Sequence, residues 1–131
     1  MRFVLALSIV AATWSCTSSP TAVHTGPLAT GRWSNTAGQC LLVSDSGCNF
    51  VAGCGHGQFP LPQVAADGTF EVDGTYRIEV GPVSIDPAPP AHFSGSVSGS
   101  NLILTVKPAT LPTASYSLIL SGAGTCSVPC V

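Results

Sequence analysis

Thr69-Phe70-Glu71-Val72-Asp73-Gly74-Thr75-Tyr76-Arg77-Ile78-Glu79-Val80 alternates without a slip. Phe70, Val72, Gly74, Tyr76, Ile78 and Val80 share one parity, and the polar or charged residues take the other. A period of two belongs to a β-strand and puts every large apolar side chain on one face. The stretch reads as one long strand, dry on one side and wet on the other. Asp73-Gly74 is also a hairpin signal. A turn there would set Val72 opposite Thr75 and Phe70 opposite Arg77, mixing apolar and charged groups on one face. Gly74 therefore reads as a bend or bulge where a sheet curls toward closure.

Downstream, His92 to Ser98 and Asn101 to Lys107 flank Gly99-Ser100, a two-residue turn with Gly first. This turn sets Val97 opposite Leu102, Gly95 opposite Leu104 and Phe93 opposite Val106, so the apolar positions meet. After a longer loop, Pro108 to Ala114, Tyr116, Leu118 and Leu120 are expected across from Val106, Leu104 and Leu102. Ile103 then faces Ile119 on the outer side. Gly81 to Ala91, with four prolines, reads as rim loop, because proline donates nothing to a ladder.

Upstream, Gln39 to Ser44 and Cys48 to Cys54 read as two strands. A turn at Ser46-Gly47 faces Leu41 with Ala52 and Val43 with Phe50, pointing Cys48 and Cys54 inward and Cys40 outward. A three-residue loop, Asp45 to Gly47, would turn Cys40 inward. Gly55 to Pro62 reads as an irregular connection, and Ala66-Asp67-Gly68 as a turn into the long strand.

Seven or eight short strands at roughly ten-residue spacing, with no convincing helical period after residue 15, predict an all-β fold. The expected architecture is a small antiparallel up-and-down barrel, with a two-sheet sandwich as the alternative. The chain has 131 residues, 45% hydrophobic and only 8% charged, enough for one core and one domain. Three cations (Arg32, Arg77, Lys107) face six carboxylates, a formal charge of −3 once Arg2 is set aside with the leader. No basic stripe is present to neutralise phosphates, so nucleic acid is not an expected partner.

Met1-Arg2 followed by the apolar run Phe3 to Ala12 is too short for a membrane span and suits a secretory leader. Thr13-Trp14-Ser15-Cys16 resembles the lipobox of bacterial lipoproteins, in which a small residue precedes the cysteine that is lipidated. Ser15 and Cys16 match; Thr13 stands where the family prefers Leu, and Trp14 is bulky for its place. Cleavage near Ser15 or Ser19 without lipidation is the alternative. The Ser/Thr/Pro-rich stretch that follows suits a tether. The expected organisation is a signal peptide over 1–15, a tether over 16–30 and a barrel domain over 31–131. Thr17 is not the Asp that marks inner-membrane retention, so the resemblance implies an outer-membrane anchor, with periplasmic or secreted protein as the alternative.

Gly31-Arg32-Trp33 resembles the opening of a lipocalin-type barrel, where a Trp closes one end. With Cys54-Gly55-His56-Gly57, Asp67-Gly68-Thr69-Phe70, Gly74-Thr75-Tyr76, Phe93-Ser94-Gly95 and a terminal cysteine, the chain is similar to a group of small exported bacterial proteins. That group carries no assigned activity, so the resemblance implies fold and export alone. Its recurring cysteines map to Cys54 and Cys130, which implies a bridge between them. Exported cysteines are expected to be oxidised. A second bridge is expected among Cys40, Cys48 and Cys126, leaving one thiol buried, paired between chains or reactive.

Catalytic readings are thin. Cys54 and His56 could supply a nucleophile and its base, but no orienting carboxylate or amide is evident, and a structural disulfide competes for Cys54. His56 is nevertheless the one candidate functional side chain. His56, His92 and spare cysteines lack zinc-site spacing, and His24 lies in the tether. Glu71 and Asp73 are ~7 Å apart on one strand face, as a solvated outer surface would have them. No phosphate-binding glycine loop and no Gly-x-Ser-x-Gly elbow occur. The expected function is non-enzymatic, without cofactor or metal: an envelope domain anchored to the membrane by lipid, binding a small ligand or an envelope protein. The alternatives are an inhibitor or interaction module using the Gly81–Ala91 or Gly55–Pro62 segment, and a thiol enzyme using Cys54 and His56.

Overall fold

The structure, a computed structural model, describes residues 25–79, 87–122 and 124–126. Its strands are β1 (Gly26–Pro27), β2 (Gly31–Ser34), β3 (Cys40–Ser44), β4 (Gly47–Ala52), β5 (Gly55–Phe59), β6 (Gln63–Val64), β7 (Thr69–Ile78), β8 (Pro90–Ser98), β9 (Asn101–Pro108) and β10 (Ala114–Leu120). Eight of them close into an antiparallel barrel in the order β10-β2-β3-β4-β5-β7-β8-β9. β1 and β6 pair separately as a two-stranded sheet. The sandwich alternative is excluded by the β10–β2 seam, which joins the last strand of the barrel to its first.

β7 is the uninterrupted strand that its alternation predicts. Phe70 and Tyr76 are buried, and Val72 and Ile78 pack against the core. At Gly74 a Cβ would run into the carbonyl of Gln58, so the absence of a side chain lets β7 bend tightly against the end of β5. The barrel interior is filled by side chains. Trp33, Phe50 and Phe93 are each 0% exposed. The Phe50 ring of β4 lies 5.0 Å from that of Tyr116 on β10, three strands away around the wall, and Phe59 stacks on Phe93 at 4.4 Å. Each fully buried large side chain contributes roughly 1.5–3 kcal/mol. The polarity is the reverse of a membrane-spanning barrel, whose apolar band faces outward.

Gly55 to Phe59, expected as an irregular connection, is instead β5, paired with β4 and β7. Its inward positions are Gly55, Gly57 and Phe59. A Cβ at Gly55 would meet the Tyr76 hydroxyl, and one at Gly57 would press on the Phe93 ring. The apolar rhythm is present, but two of its beats are supplied by rings from other strands. Similarly, Pro90 and Ala91 open β8 instead of ending the rim loop. Residues 80–86, most of that loop, lie outside the described residues.

Two registers differ from expectation by two residues. The turn between β3 and β4 is Asp45-Ser46, so Leu41 faces Phe50 and Val43 faces Cys48. The positive φ falls on Gly47, at 137°, after two residues of ordinary φ. Tyr116 and Leu118 of β10 face Leu104 and Leu102, and Ile103 faces Ser117 in place of Ile119. A slip of two keeps every side chain on its face. The β8–β9 hairpin, tied by two residues, has the predicted pairing throughout.

The 16–30 tether expected from sequence ends earlier. Gly26 and Pro27 pair with Val64 and Gln63, Leu28 is 1% exposed, and its N–H donates to the Pro62 carbonyl at 3.0 Å. The Trp33 indole N–H donates to the Ala29 carbonyl at 3.1 Å. β1 and β6 each lead into a strand, β2 or β7, that starts at the same end of the barrel, and Leu28 and Val64 join the core there.

Candidate functional site

The expected anchor, Cys16, lies outside the described residues, as do the leader and Cys130. Cys54 is disulfide-bonded, so it has no thiol to act as a nucleophile, and the pairing expected for it with Cys130 falls outside the described residues. Cys40 is bridged to Cys126, 86 residues later. Cys40 faces outward from β3, opposite Val51, and is 5% exposed. The remaining cysteine of the described residues, Cys48, is a buried free thiol facing inward. A groove of about 470 Å³ between the Asp45-Ser46 turn and the end of β5 touches it. Burial pushes the Cys48 thiol up to about 12, so it stays protonated and unreactive at neutral pH.

Three outward-facing clusters emerge from the sheet register. In the first, His56 on β5 pairs across with Arg77 on β7. Its Nε2 lies 3.3 Å from Glu79 Oε2 but outside hydrogen-bond alignment. Glu79 is held instead by Arg77, whose Nε and terminal nitrogen both reach Oε1 at 2.8 Å. The carboxylate beside His56 has no signature in the sequence, because it is the β5–β7 pairing that brings the two together. With Cys54 oxidised, His56 has no Cys54 thiol beside it to activate, so the Cys54–His56 pairing of the thiol-enzyme reading is not formed in this state.

In the second cluster, His92 on β8 stands between β7 and β9. Its Nδ1 is 2.8 Å from Asp73 Oδ1, and its Nε2 is 3.4 Å from Glu71 Oε1. Lys107 is its partner on the β9 side, and the cluster borders a rim groove of about 410 Å³ edged by Pro90 and Pro108. The Asp73 contact, followed by Glu71, holds the imidazole above its ordinary pKa of 6.5. The two carboxylates approach opposite ring nitrogens, so they cannot converge with the ring on one ion. Among the described residues no group of three or more His, Cys, Asp or Glu side chains is placed to hold a metal.

A folded pKa above the unfolded one gives stabilisation that is complete below the unfolded pKa and is lost as pH rises through the folded value. NMR titration of His92 should show a midpoint above 6.5, and Asp73→Asn should lower it. The accompanying loss of stability as pH rises through that midpoint should be small, because the cluster is solvent-exposed. A midpoint at or below the ordinary value would contradict the geometry.

The third cluster centres on Asn35, which sequence reading did not single out. Its Oδ1 accepts from the N–H groups of Ala37 and Gln39 at 3.1 Å, shaping the β2–β3 turn. Its Nδ2 donates to Gln39 Oε1 at 2.6 Å and to the Ser117 carbonyl of β10 at 3.0 Å. One side chain thus extends the barrel-closing seam past the last residue of β2. An Asn before a turn was the available signal, but its long-range acceptor was not. Searches against protein-family models, curated proteins and solved structures return no match for this chain.

Proposed function

We propose that this chain is an exported, non-enzymatic domain of the bacterial cell envelope, lipid-anchored at Cys16, that binds an envelope component on its outer wall. The observation that carries the reading is the packed interior: Trp33, Phe50 and Phe93 occupy the space in which a ligand-carrying barrel keeps its cavity. Recognition is thereby left to the outer face and rims. The oxidised Cys40, Cys54 and Cys126 support an exported location, since cytosolic thiols are kept reduced. The inhibitor alternative has less support, because Gly55 to Phe59 is wall and not free loop.

Fractionation of expressing cells with an alkyne-palmitate label tests the anchor. The native chain should be labelled and membrane-associated, and Cys16→Ala should be unlabelled and soluble outside the cytoplasm. A native chain that is soluble and unlabelled would reject the anchor, and one retained in the cytoplasm would reject export.

A further inference from the structure

On the outer wall, Thr69, Ser96, Ile103 and Ser117 are successive cross-strand partners on β7, β8, β9 and β10. Asn35 continues the row through its bond to the Ser117 carbonyl. Two hollows of about 610 Å³ each flank this row and meet at Ile103, which lines both. At the strand spacing of ~4.8 Å, the row spans roughly 19 Å from β7 to the β2 end. Among the described residues, Glu71 is the only ionisable side chain in either lining, although charged clusters lie nearby on β5, β7 and β8. The track is thus a neutral strip of hydroxyls and amides with an apolar step, Ile103, 53% exposed at its centre.

We infer that this strip is the binding site for a neutral, extended glycan strand. The Thr69 hydroxyl is held by Asp67 and both Asn35 donors are used within the protein, so Ser96 and Ser117, on either side of Ile103, supply the hydroxyls that donate to and accept from those of a sugar, and Ile103 offers a surface for the C–H face of a sugar ring. A peptide fits less well. The backbone groups beneath the row are used by the β7–β8, β8–β9 and β9–β10 ladders, so no free edge is there for an added strand. A lipid surface would need more apolar area than Ile103 and Ile119 expose, and an anionic polymer would need cations that the linings lack.

The inference rests on the outer-wall reading above, but its test is independent of anchoring and compartment. Calorimetric titration of the full exported chain with chitohexaose and maltohexaose should give saturable binding to at least one. Ile103→Glu and Ser96→Glu, both at exposed positions that leave the core untouched, should each weaken it at least tenfold, whereas Asn49→Asp, at an exposed position of β4 outside the row and both linings, should leave it unchanged. Circular dichroism confirms that each variant is folded. Absence of binding to both oligosaccharides at millimolar concentration would overturn the proposal. So would equal affinity in both charged variants, or preference for heparin or a Gly-Ser repeat peptide.

Discussion

Phe93→Ala should lower the free energy of unfolding by about 3–5 kcal/mol. The ring is 0% exposed, stacks on Phe59, and lies opposite Val72 on one side and Val106 on the other. What places this site at the upper end is its neighbour. Gly57 sits against the ring with no side chain of its own, so this position of β5 supplies nothing to fill the space left behind. The cost of a truncation grows with the cavity that persists, and here collapse is restricted by a closed ring of strands. Phe93→Leu, which keeps most of the volume, should cost under about 1.5 kcal/mol. Urea unfolding of both variants measures the difference, and a loss below about 1 kcal/mol for the alanine variant would show that the interior is not packed as described.

Removing the Cys40–Cys126 bridge as the Cys40→Ser/Cys126→Ser double variant should cost about 4–5 kcal/mol on the chain-entropy model, given the 86-residue separation. The bridge ties the segment after β10 to the outer face of β3, across β2. Arg32 supports the same crossing: its backbone N–H donates to Gly122, and its side chain reaches Ser121 Oγ at 3.1 Å and the Thr125 carbonyl at 3.5 Å. The double variant is preferable to reductant, which would also open the bridge at Cys54. Chemical unfolding gives the magnitude, and native-state hydrogen exchange gives the location. Amides of β2 and the end of β10 should lose protection first. Equal protection there, with a stability loss under about 1 kcal/mol, would show that the closing seam does not depend on the bridge.

The candidate surface was legible only in fragments. Glu71 and Asp73 could be placed on the wet face of β7 from their parity, but their partner His92 could not be matched to them, because the connection between β7 and β8 is long. His56 and Glu79 are 23 positions apart and meet only because β5 pairs with β7. The row from Thr69 to Ser117 has no local signature at all: each member is an ordinary strand residue, and the row exists only where four strands lie in register.

The amino-acid order alone determined the faces. The parity of β7, β8, β9 and β10 separates the filled interior from the polar wall, and Gly99-Ser100 sets its hairpin register, because a side chain's face depends on its immediate neighbours and a two-residue turn leaves no slack. Tertiary structure decided the rest. It made β5 a strand whose missing side chains are replaced by Tyr76 and Phe93, slid β10 by two residues along β9 across an unconstraining loop, and joined Cys40 to Cys126 while leaving Cys48 free. The reason is common to all three: spacing along a chain says which way a side chain points, but which distant residue it meets is settled only when the sheet closes on itself.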